Sequence, residues 1–140
     1  MKTTSFLAVA LLLCGCVVTK PPTEPSPDIV CDDSRHQSTQ IHYGNAELSA
    51  TPVTKISKKR KWRFNLHPKN DHAWVDYSGA VVTITGKTPQ YSWLSASGKH
   101  SDSSELIVCV PDGLEDGTII EYMINVQWVG TLDPRGVVDN

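Results

Sequence analysis

An apolar–polar alternation with a period of two is the feature that most narrows what this chain can fold into. Ile120, Tyr122, Ile124, Val126 and Trp128 share one face of a run whose other face carries Ile119, Glu121, Met123, Asn125 and Gln127. Successive side chains of a strand point to opposite sides, so the run predicts a long strand with one face buried. Trp62, Phe64 and Leu66 set against Lys61, Arg63 and Asn65 predict a second. Shorter strands are expected over residues 39–43, 53–57, 73–77, 80–85, 91–94, 105–110 and 137–138, with a loop over 95–103. Turns are expected at 67–71 and at Pro111-Asp112-Gly113, where Pro presets φ and Gly accepts a positive one. No window has a 3.6-residue apolar period. The expected class is all-β, a two-layer antiparallel β-sandwich of about seven or eight strands.

The N-terminus follows another logic. Lys2 precedes an apolar run from Phe6 to Leu13, too short to span a bilayer as a helix, and the run ends in Leu13-Cys14-Gly15-Cys16. This tetrapeptide resembles the lipobox of bacterial lipoproteins. The resemblance covers about the first sixteen residues. It implies diacylglycerol on the Cys16 thiol, cleavage after Gly15, and acylation, for example by palmitate, of the new amino group. Several chains in one leaflet hold a protein stably where one holds it marginally. Val17 stands where family members kept at the inner membrane usually carry Asp, which implies the outer membrane. Pro21, Pro22, Pro25 and Pro27 then favour an extended, semi-rigid tether. The expected organisation is a signal peptide over 1–15, the lipidated cysteine and Pro-rich tether over 16–30, and the sandwich domain over 31–140.

Export simplifies the cysteines. Of the four in the chain, Cys14 leaves with the signal and Cys16 takes the lipid, so Cys31 and Cys109 remain for a disulfide in an oxidising compartment. Loss of Lys2 leaves 12 Lys and Arg against 15 Asp and Glu, a mildly acidic mature chain.

The charges are segregated. Seven of the thirteen basic residues, Lys55, Lys58, Lys59, Arg60, Lys61, Arg63 and Lys69, fall within residues 55–69, where there is no acid. Residues 100–140 hold eight acids and one base, Arg135. Lys58, Lys59, Arg60, Lys61 and Arg63 are therefore the candidate binding residues, for an anionic envelope component or an acidic protein, with no nucleic acid expected. The plainer reading is that these cations guard an exposed strand edge or pair with the acidic end.

Signals for chemistry are sparse. The finish around Leu132-Asp133-Pro134-Arg135 is similar to cupredoxin-like and immunoglobulin-like sandwiches, yet no His follows Cys109, so a blue-copper site lacks its ligands. Neither G-x-S-x-G nor S-x-x-K occurs. His67, Asp71 and His72 could together hold a metal, whereas His36, His42 and His100 read as surface residues. The expectation is a non-catalytic outer-membrane lipoprotein, neither enzyme nor cofactor carrier, whose sandwich binds another envelope component or protein. The alternative is a small metal- or substrate-handling domain using His67, Asp71 and His72.

Overall fold

The computed structural model describes residues 31–45, 47–70 and 74–139. The expected signal peptide, lipidated Cys16 and tether over residues 1–30 lie outside them, as do Asp71 and His72. Ten strands form two facing sheets: β1 (Asp32–Gly44), β2 (Leu48–Ala50), β3 (Val53–Ile56), β4 (Arg60–Lys69), β5 (Val81–Gly86), β6 (Ser95–Lys99), β7 (Glu105–Cys109), β8 (Ile119–Val126), β9 (Gly130–Leu132) and β10 (Arg135–Val138). One sheet runs β2-β1-β4-β7; the other runs β3-β10-β8-β5-β6, with β9 beside β10 on β8. The all-β, two-layer expectation holds, with more strands than the seven or eight expected.

The sheets are mixed rather than antiparallel throughout. β1 runs parallel to β4, and β3 parallel to β10. Pro52 lies between β2 and β3, where the chain leaves one sheet for the other. Lacking an N–H, it cannot extend the first ladder, and its carbonyl instead accepts from Arg135 N–H at 3.2 Å. The chain visits the second sheet as β3 and returns as β4, so β1 and β4 point the same way. Pro134 separates β9 from β10, both of which pair with β8.

Alternation sets the core. The β4 residues Trp62, Phe64 and Leu66 and the β8 residues Ile120, Tyr122, Ile124 and Val126 are all buried. Trp62 packs edge-on against Tyr122 across the sheets at 5.1 Å, and tilted against Phe64 at 4.8 Å. These arrangements suit the ring quadrupoles. Trp62 donates its Nε1 proton to Thr39 Oγ1 at 2.9 Å, and Thr39 Oγ1 lies 2.7 Å from Thr54 Oγ1. Thr39 belongs to β1 and Thr54 to β3, so one buried hydrogen bond ties sheet to sheet. Gln37 adds a second tie, its amide binding the Ser57 backbone just after β3. Gly136 lies against the Trp62 ring, where an added Cβ would stand 2.9 Å from Cη2.

Other local expectations fail for traceable reasons. Residues 74–76 are not strand, and Tyr77–Gly79 forms a 3-10 turn capped by Asp76, whose side chain accepts from Ser78 N–H. Pro89–Tyr91 is another 3-10 turn, while the Ser- and Gly-rich stretch expected as loop contains β6. β6 is an edge strand exposing much of its surface, so it needs little apolar sequence. Cys31 and Cys109 stand at disulfide distance, Cα to Cα 5.8 Å, joining the start of β1 to the end of β7.

Two stability measurements check this account. Thr39→Val should cost about 1–3 kcal/mol in denaturant unfolding, since it orphans Trp62 Nε1 and Thr54 together. Thr54→Val should cost less, because Thr39 still accepts from Trp62. Replacing Cys31 and Cys109 by Ser should cost about 2–5 kcal/mol; two free thiols in the native protein would refute the bridge.

Candidate functional site

At the end of the sandwich where β1 finishes, three connections meet around an open groove of about 390 Å³. The β1–β2 turn supplies Gly44, Asn45 and Glu47, β2 supplies Leu48, the 3-10 turn supplies Tyr77, and the β8–β9 turn supplies Trp128 and Val129. The β1–β2 turn closes through Gly44 N–H to the Glu47 carbonyl at 2.9 Å. Gly44 must be small here. A Cβ would lie 2.6 Å from the Lys69 carbonyl oxygen on the neighbouring strand.

Glu47, the one ionisable acid among the described residues of the groove, pairs with Lys69. Asn45 Oδ1 accepts a long hydrogen bond, 3.5 Å, from the Tyr77 hydroxyl. The loop before Tyr77 is clasped at its base: Asn70 Nδ2 donates to Asp76 Oδ1 at 3.1 Å, and Tyr77 N–H donates to Asn70 Oδ1 at 2.9 Å. The hydrogen bonds from Ser78 hold the Asp76 carboxyl below the usual carboxylate range. On this loop Trp74 is 93% exposed.

Trp128 departs from the sequence reading, which put it on the buried face of the long strand. β8 stops at Val126, and Trp128 stands out at 66% exposure. Val129 N–H donates to the Val126 carbonyl at 3.0 Å, so Gln127 and Trp128 are the central residues of a turn. Of these two only Trp128 has positive φ, 68°. That is the type II pattern, in which the third position takes Gly or Asn. A bulky residue there costs of order 1–3 kcal/mol. Gln127 anchors the turn to β5: its N–H donates to the Val81 carbonyl at 2.9 Å, and its Oε1 accepts from Val81 N–H at 3.2 Å.

Arg60, Lys61 and Arg63 do not form an edge, since β4 lies between β1 and β7; Lys58 and Lys59 stand in the turn before it, and of the basic block Lys55 is on the edge strand β3. Arg63 shares the half-buried Glu105 carboxylate through contacts of 2.7 and 2.8 Å. Lys59 reaches Asp112 at 3.0 Å, Lys55 reaches Asp139 at 3.0 Å, and Lys58 approaches Asp116 at 4.0 Å. Arg60 and Lys61 are engaged as well. The fold therefore brings the acids of the C-terminal region to the cations of residues 55–69.

His67 is aligned with His42 across the parallel β1–β4 pair, the rings stacked at 4.6 Å. Its Nε2 lies 2.6 Å from Gln40 Oε1. Among the described residues no three His, Cys, Asp or Glu side chains form a metal-binding group. The His36 side chain is also outside the described residues. Sequence spacing gave no sign of the His42–His67 contact, which depends on the parallel register. No protein-family model, curated protein or solved structure matches the chain.

Stability should fall on both sides of neutrality. Burial, then His42 and His100, lower the His67 pKa, so below its ordinary value the unfolded chain takes up a proton that the folded chain resists. Burial also pushes the hydroxyls of Tyr43 and Tyr122 up to about 12. Between their ordinary value and about 12 the unfolded chain loses protons that the folded chain keeps. Unfolding midpoints should therefore drop as pH falls below about 6.5 and as it rises above about 10. His67→Gln should flatten the acid limb, and an unchanged limb would exclude His67 as its source.

Proposed function

We propose that this chain is a lipid-anchored outer-membrane protein whose β-sandwich is a non-catalytic binding module for another envelope component. The observation that supports the reading is that Cys31 and the groove stand at opposite ends of β1. Cys31, where the tether meets the domain, precedes a 13-residue strand that ends at Gly44 on the groove. β1 runs alongside β4 from Arg60 to Lys69, with an irregularity between Asp32 and Gln37, so at ~3.3 Å per residue its ends stand roughly 30 Å apart. A domain held by Cys16 through residues 17–30 would present its groove away from the bilayer. The pairing of the basic block with the protein's own acids weakens its case as the contact surface and leaves the groove as the better candidate. The metal-handling alternative gains His42 beside His67, and metal analysis of the purified protein decides it: stoichiometric zinc or copper would favour that alternative.

Replacing Cys16 by Ala should give an uncleaved or unacylated chain that no longer fractionates with the outer membrane. Unchanged processing and fractionation would overturn the anchoring.

A further inference from the structure

Trp128 combines two properties that packing does not explain together. Its backbone occupies a conformation suited to Gly or Asn, and its ring is largely solvent-exposed. A large aromatic side chain at a strained, exposed turn beside a groove is a candidate for contact with a ligand. The surroundings restrict which ligand.

Among the described residues Glu47 is the one ionisable acid lining the groove, and Lys69 matches it, so those residues favour neither a cation nor an anion. Its volume of about 390 Å³ is at the small end for ligand clefts and its mouth is open, so it suits part of an extended molecule. The lining alternates aromatic surface, from Trp128 and Tyr77, with hydrogen-bonding groups from Asn45 and Glu47. Neutral pyranose rings have the complementary chemistry. Their axial C–H groups form an apolar, slightly positive face that packs on the negative face of an indole, while their equatorial hydroxyls bond carboxamides and carboxylates at the rim. A lipid chain would strip water from the polar groups of Asn45 and Glu47 without hydrogen-bonding them, and an apolar helix would need a wider apolar strip.

We propose that the groove formed by Asn45, Glu47, Tyr77 and Trp128 binds the neutral sugar rings of an envelope glycan, with the Trp128 indole as the stacking platform. This names the ligand class for the binding module proposed above and rests on that reading.

The test is calorimetric titration of the purified full chain with two probes. One is chitohexaose, a neutral β-1,4-linked oligomer with cell-wall-type linkage; the other is dephosphorylated core oligosaccharide from lipopolysaccharide. Saturable binding of either supports the proposal, and the probe that binds identifies the source. Trp128→Asn, which suits the left-handed turn, should weaken binding at least tenfold while leaving the melting temperature unchanged or raised. Binding of neither probe by the wild-type chain, or equal binding by the variant, overturns the proposal. So does a marked fall in the variant's melting temperature, which would make Trp128 a structural residue. Membrane fractionation of the Cys16 variant is a separate readout, so the glycan assignment can fail while the anchored-module reading stands.

Discussion

The hydrogen-bonded contact of Trp62 with Thr39 and Thr54 is the interaction on which the rest of the sandwich depends. Trp62 is the largest fully buried side chain, and it carries a polar N–H into a region where an unpaired donor is costly. Thr39 accepts that proton, and its hydroxyl in turn meets Thr54 on the opposite sheet. Hydrophobic burial alone would let two sheets slide, because it has no direction. The hydroxyl pair fixes their relative position through an interaction that tolerates little displacement. Gly136 lets β10 lie close to the same indole. The Tyr122 hydroxyl is near enough for both threonines to pull its pKa down against the larger effect of burial, but it completes no well-formed hydrogen bond.

Charge follows a comparable economy on the outside. Acids concentrated late in the sequence return in space to cations concentrated earlier, as β7 lies beside β4 and the chain after β10 reaches β3. Most of these pairs are exposed and contribute little individually. Arg63 with Glu105 is the exception: the pair is half-buried, and Arg63 Nη1 donates to both carboxylate oxygens. Substituting Arg63 would therefore disturb folding more than substituting Lys59, and the two are not interchangeable probes of a binding face.

What was legible in the sequence was whatever a period of two encodes. The buried faces of β4 and β8 could be read residue by residue, because each needs an unbroken row of large apolar side chains on one side. Direction could not be read: a strand has the same alternation whether its neighbour runs parallel or antiparallel, so the β1–β4 and β3–β10 pairings were invisible. β6 was hidden because an exposed edge of Ser, Ala, Gly and Lys carries no apolar signal. The converse error occurred at 73–77, where alternation precedes a capped turn. Trp128 was misplaced for the same reason. Its position continues the apolar face of β8, and nothing in residue type reveals a positive φ. The groove joins residues from Gly44 to Val129, which only the fold assembles.

The trap in the sequence reading also bears on function. If Trp128 had continued the strand, its ring would have lain in the core and contributed to folding. The turn after Val126 lifts it out instead, and that turn is held by its own hydrogen bond and by both Gln127 contacts to Val81. Its backbone is thus ordered before any ligand arrives. A stacking platform fixed in advance avoids part of the ordering entropy that a mobile loop would lose on binding. Trp74, at 93% exposure on a loop clasped by Asn70 and Asp76, is also carried by a segment with a fixed base. At Trp128 a hydrogen-bonded turn holds an aromatic ring that the core does not use. Contact with something outside the fold gives such an arrangement a physical purpose, whereas folding alone would favour a Gly or Asn at the turn.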